Sequence, residues 1–170
     1  MSELFFNPAD FLAFLDRYPT YGEPENSPLY FLFRRDPGHS DLDETKAKLN
    51  FVDKIYSANI GNFIGRAKVD TRGLRGVYWL AEELHDDPRF KEFLDEALKV
   101  DRFREEKVKE IVKLVEGLAK LISKKVGRTT PGPISASSKY LHFHARSFPI
   151  FDNDASAALC AMMRASDWQS

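Results

Sequence analysis

The stretch from Ile134 to Leu159, ISASSKYLHFHARSFPIFDNDASAAL, holds the residue types best suited to chemistry. Lys139 follows four small residues, Ser135, Ala136, Ser137 and Ser138, which permit close approach of a backbone or a ligand. It projects from a run containing Tyr140, Leu141 and Phe143. An amine held among apolar neighbours is penalised in its charged form, so neutral, nucleophilic amine becomes available near neutrality, the physical requirement for a Schiff-base lysine. Asp152 follows Phe148-Pro149-Ile150-Phe151 and precedes small residues compatible with a helix. It is therefore expected to cap that helix and to stay ionised through amide hydrogen bonds. A fixed carboxylate facing a lysine can orient a nucleophile or stabilise a developing cation. The pair suits covalent attack at an electrophilic carbon.

Plainer readings stand beside these. An isolated lysine is most often solvated or snorkelling, and Asp152 is a cap in every reading. Asp154 complements the dipole of the same helix. His142 and His144, two positions apart, point to different sides of a helix, an arrangement poorly suited to chelation, and no metal or cofactor is expected. Cys160, beside Leu159 and Met163, reads as a small buried hydrophobe. As the sole cysteine it excludes an internal disulfide framework and a cysteine-rich zinc site, and it suits a reducing cytoplasm.

Lys and Arg total 25 against 26 Asp and Glu, a formal charge of −1, so any nucleic-acid surface must be a local patch. Lys120, Lys124, Lys125 and Arg128 offer one at the basic end of a long helix, where they either complement the helix C-terminus or track phosphates. Arg66, Lys68, Arg72 and Arg75 offer a second. Glu3, Asp10 and Asp16 interrupt the apolar pattern of the first residues, which is unlike a secretory signal, and no window is long and apolar enough for a membrane span.

The elements that must position these residues are helical in period. Asn7-Pro8 opens a helix over about 8–17, and the proline- and glycine-rich stretch 18–28 reads as a loop. Leu29 to Arg35 is continuously apolar and then basic, either a short buried strand or a helical turn. Ser40 or Asp41 starts a helix to about Ser57, with Leu42, Leu49, Val52, Ile55 and Tyr56 on its buried face. Further short helical elements are expected to start with Ile60, Phe63 and Ile64, over Thr71–His85 (Leu74, Val77, Tyr78, Leu80, Ala81, Leu84), and from Asp87-Pro88 to Leu98. The longest run, 101–126, sets Val108, Ile111, Val112, Leu114, Val115, Leu118, Leu121 and Ile122 on one side and lysines on the other, with Gly127 as its C-terminal cap. Arg128 to Pro133 is a hinge-like connector. A helix over Ser135–His144, a turn at Ser147–Pro149 and a final helix opened by Asp152 complete the chain. The expected fold is an all-α, compact, single domain over 1–170, with at most one short strand pair.

Ser138-Lys139, Leu141-His142-Phe143, and Phe148-Pro149-Ile150 leading to Asp152 resemble the lysine and aspartate segment of 8-oxoguanine DNA glycosylase-like proteins, within the helix-hairpin-helix DNA glycosylase superfamily. Asn50 to Ile60 (NFVDKIYSANI) resembles a tyrosine-serine motif of a divergent bacterial branch. The resemblance implies a helix-hairpin-helix glycosylase fold with its site segment at about 130–165, a role in base excision repair, and DNA as partner. It implies Lys139 as the nucleophile at the sugar of an extruded nucleotide and Asp152 as its electrostatic partner. Tyr140, Phe143 and His142 become candidates for contact with the base, and Lys124, Lys125 and Arg128 for contact with phosphates. Two rival readings remain open: a nucleic-acid-binding module that does not cut, and a protein-interaction domain using Phe5, Phe6, Phe31 and Phe33.

Overall fold

The computed structural model describes residues 23–55, 58, 60–65, 76–100, 104–129 and 132–152. They form seven α-helices and one short 3-10 turn, with no strand among the described residues. Helix α1 spans Glu23–Arg35, α2 Leu42–Ile55, α3 Ile60–Ile64, α4 Val77–His85, α5 Pro88–Leu98, α6 Val108–Val126 and α7 Ile134–His144. The mainly helical expectation holds. The expected helix over 8–17, the final helix with Asp154, Cys160 and Met163, the basic residues between Arg66 and Arg75, and Phe5 and Phe6 all lie outside the described residues.

One open alternative is settled and one expectation is corrected around α1. The alternatives at 29–35 resolve as helix, and the stretch read as a loop to Pro28 is helical from Glu23. Pro24 stands in the first turn, where its missing N–H has no intrahelical acceptor to lose. Pro28 forgoes a single bond, to the carbonyl of Pro24, while Leu29 and Phe33 gain full burial one turn apart.

Several start and stop signals elsewhere operate as expected, although α6, expected from 101, begins at Val108 after the 3-10 turn Glu105–Lys107. Asp87 is the N-cap of α5: its carboxylate accepts from the Arg89 backbone N–H at 3.0 Å, and Pro88 fills the first turn. Gly127 ends α6 in the left-handed region, φ 75°, donating to the Lys124 carbonyl. Asp41 accepts from the Asp43 and Glu44 amides at the start of α2, 2.8 and 3.1 Å. The apolar stripe of α6 is narrower than expected. Ile111, Leu114, Val115, Leu118, Leu121 and Ile122 are buried, but Val108 and Val112 are exposed, and so is Tyr78 on α4. A one-sided helix buries only the residues within its contact face, and these three fall at its margin.

Helix α7 packs against α1, α2, α5 and α6, and α2 lies along α4. Its residues Ala136 to Leu141, with Phe143 and His144, are all buried, the signature of a helix surrounded by others. Leu141 and Phe143 join side chains from all the other helices in one buried cluster. The connector ahead of α7 is drawn tight by Gly132: a Cβ there would overlap the Ala119 carbonyl of α6, so only glycine lets the two backbones meet.

Candidate functional site

Lys139 sits in the middle of this central helix and is only 7% exposed. A charged lysine is seldom so buried unless paired. Its Nζ lies 3.4 Å from Oδ2 of Asp152, whose side chain is 25% exposed. The amine is thus shielded, and the carboxylate forms the side of the pair open to water.

The pair is assembled by a strap that folds back along α7. At the end of the helix Ala145 turns extended, φ −137° and ψ 108°, while its amide donates to the Leu141 carbonyl at 2.7 Å. The Phe148 side chain is buried and its amide donates to the Ala145 carbonyl, 3.0 Å. His142 Nδ1 donates to the Phe148 carbonyl at 2.6 Å. Three residues on, the Phe151 amide donates to Ser138 Oγ at 2.9 Å, and Asp152 then meets Lys139. Successive strap residues thus engage earlier residues of the helix. Ser147 ties the bend to the end of α5 by donating to the Val100 carbonyl, 2.5 Å.

The other sequence-predicted residues take different places. Tyr140 is 2% exposed, and its hydroxyl meets Nε2 of His39 at 2.5 Å. Phe143 is equally buried, its ring 5.2 Å from Tyr30 and 6.0 Å from Phe33. Both rings are committed to the core in this conformation, and neither offers a face to a base. His142 is half-buried: with its Nδ1 proton on Phe148, its Nε2 accepts from the Tyr30 hydroxyl at 2.8 Å. Burial holds its imidazole below the ordinary histidine range. Lys125 is drawn into the fold by Asp87 and Glu83, at 3.1 and 3.5 Å. Lys124 and Arg128 remain exposed at the end of α6, Arg128 with its guanidinium 4.7 Å above the Phe63 ring. Lys139 and Asp152 converge, whereas the basic end of α6 splits between an internal ion pair and open surface.

Two features escaped sequence reasoning. Ser138 looked like one of four small spacers, yet it is the acceptor that holds the strap. The second is a cavity of about 530 Å³ at the end of α2, lined by Asn50, Asp53 and Lys54 together with Asn62 of α3 and Tyr78 of α4. Asp53 is buried there, accepting from the Gly61 amide at 3.2 Å. Part of the Asn50–Ile60 motif therefore lines a recess, though neither Lys139 nor Asp152 lines it. Among the described residues no group of three or more His, Cys, Asp or Glu side chains is placed to hold a metal. No helix among them is long and apolar enough to cross a membrane.

No family model matches the chain, and neither does any curated protein or solved structure.

Proposed function

We propose that this chain is a DNA glycosylase-like protein, with an associated lyase step, that removes a damaged or modified base through Lys139 and Asp152. The observation that carries the reading is the buried Lys139 amine 3.4 Å from the Asp152 carboxylate. Asp152 is an acceptor within reach for the ammonium proton, at a separation that a bound substrate has only to tighten slightly. The freed amine then bonds to the anomeric carbon, and the base departs with the electrons of the glycosidic bond and takes up the proton that Asp152 had accepted, which restores the carboxylate. The restored Asp152 carboxylate stabilises the cationic sugar, and transfer of a further nitrogen proton to the ring oxygen as the ring opens leaves the protonated imine that borohydride reduces. The target nucleotide must leave the stack for the amine to reach it. No cofactor is required. The resemblance of the segments around Lys139 and Asp152 to the helix-hairpin-helix glycosylases supports the same reading.

The test is borohydride trapping on duplexes carrying 8-oxoguanine, uracil and a wider lesion panel. A covalent adduct is expected with the wild type, none with Lys139→Ala, and about 100-fold slower formation with Asp152→Asn. Absence of any adduct while the DNA still binds would remove the chemistry.

A second reading, a nucleic-acid-binding module that does not cut, is favoured by the burial of Tyr140 and Phe143 and the exposure of Lys124 and Arg128. It gives salt-dependent binding that survives Lys139→Ala and no adduct on any lesion.

A further inference from the structure

Ser138 lies within the central helix with no solvent exposure, yet its hydroxyl does not simply bond back along the helix. It faces two carbonyl oxygens, Ser135 at 3.0 Å and Phe151 at 3.3 Å, and it receives the Phe151 amide at 2.9 Å. A hydroxyl has one proton and two acceptor lone pairs. With the proton on the nearer oxygen, that of Ser135, Oγ is polarised as an acceptor for the Phe151 N–H. That amide belongs to the residue immediately before Asp152, and Ser138 immediately precedes Lys139. One buried atom therefore couples the two backbones at the positions adjoining the ion pair, and any slip of the strap would move the carboxylate away from the amine.

We propose that Ser138 is the positioning residue of the Lys139–Asp152 pair, acting through the Phe151 amide to fix where the Asp152 carboxylate stands. This rests on the reading of Lys139 and Asp152 as the working pair. Ser138 itself touches neither the amine nor a substrate. Its effect on the chemistry passes through Asp152, which separates it from a residue that merely stabilises the fold.

The test uses the full chain and two readouts. In the first, the rate of borohydride-trapped adduct on a duplex containing an abasic site is compared for the wild type, Ser138→Ala, Asp152→Asn and the double variant. Ser138→Ala is expected to slow trapping by about 10-fold, and to have little effect once Asp152 is Asn, because a positioning role vanishes with the group positioned. An equal loss in both backgrounds, or no loss in the Ser138→Ala single variant, overturns the inference. In the second, which needs no DNA, the ¹³C signal of the Asp152 carboxyl is followed on introducing Lys139→Gln. The response is expected to be clear in the wild-type background and less than half as large beside Ser138→Ala. An equal response in both backgrounds overturns the inference. Should Ser138→Ala fail to fold, Ser138→Cys, which fills the site with a weaker acceptor, takes its place in both measurements. A wild type that forms no adduct yet shows the carboxyl coupling would sink the glycosylase reading and leave the positioning role standing.

Discussion

His39 shows how much a single residue of this chain can constrain. It is fully buried in a left-handed conformation, φ 49°, donating from Nδ1 to the Pro37 carbonyl at 3.0 Å and accepting at Nε2 from Tyr140. His144 lies beside it, ring centroids 5.5 Å apart, and donates from Nε2 to the Leu94 carbonyl, 3.0 Å. Nearby, Lys48 is buried with its Nζ on the Asp36 carbonyl and 5.6 Å from the Phe33 ring centroid. Burial, reinforced by the Lys48 charge, pushes His39 down to about 3, and burial pushes His144 down to about 4. Both histidines are therefore neutral in the folded protein well below the pH at which the unfolded chain takes up protons. Their contribution to stability is complete above the unfolded value of about 6.5 and is lost progressively as the pH falls toward the folded values. At pH 5 each is expected to cost about 2 kcal/mol relative to pH 7, read from urea denaturation at the two pH values. The Asp36 carboxylate, held down to about 2 despite burial by hydrogen bonds from Ser40 and Asp41, acts only at lower pH. Denaturation curves that coincide at pH 7 and pH 5 would refute the neutral-histidine account.

At the scale of elements, the placement of α7 depends on contacts that tolerate no added atom. Gly132 meets the backbone of Ala119, which cannot yield without moving α6 itself. Gly132→Ala is expected to destabilise the protein by about 3 kcal/mol, because backbone rather than a flexible side chain obstructs the new methyl. At Gly117 the obstacle is the Phe93 ring, which can rotate or shift, so Gly117→Ala should cost less, about 1 kcal/mol. Gly38 has open space where a Cβ would stand and no positive φ, and Gly38→Ala is expected to change stability by less than about 0.5 kcal/mol. Thermal or urea denaturation of the three variants provides the ordering, and a Gly132→Ala protein as stable as Gly38→Ala would contradict the packing. The junction of α5 with α6 has its own fastening. Asp87 caps α5 and accepts from Arg89 and Lys125, which together hold its carboxyl far below the usual range. Replacing Asp87 by Ala should cost about 2 kcal/mol at neutral pH, from the lost cap and from leaving Lys125 with only the more distant Glu83 of its two carboxylates.

For the molecule as a whole, near-neutral net charge leaves DNA affinity to the distribution of cations. Lys124 and Arg128 are exposed where α6 leads into the connector of α7, whereas Lys109 and Lys113 are exposed toward the other end of the same helix. The proposed function assigns phosphate contact to the first pair alone. Lys124→Glu with Arg128→Glu is expected to weaken duplex binding at least about 10-fold at low salt and to flatten its salt dependence, while Lys109→Glu with Lys113→Glu changes both little. Fluorescence anisotropy across a salt series measures both quantities, and equal losses from the two double variants would dissociate the α6 end from DNA binding. The interaction reading based on exposed aromatics keeps Phe31, 69% exposed, but loses Phe33 to the core.

The sequence by itself determined the helical character, because apolar spacing, Asp87-Pro88 and Gly127 are local signals that each act within a turn or two. It also marked Lys139 and Asp152, since unusual residue types in apolar company are visible without coordinates. It misjudged the start of α1, where proline was read as a breaker although the first turn tolerates it, and it did not show that the rings of Tyr140 and Phe143, candidates for base contact under the resemblance, are buried in the core. Only the tertiary structure decided those placements, together with the contacts of Ser138, the tight contact at Gly132 and the recess beside Asp53. Each depends on which segment, distant in the chain, comes to lie against the residue. Periodicity tells which face of a helix is buried, but not what that face is buried against.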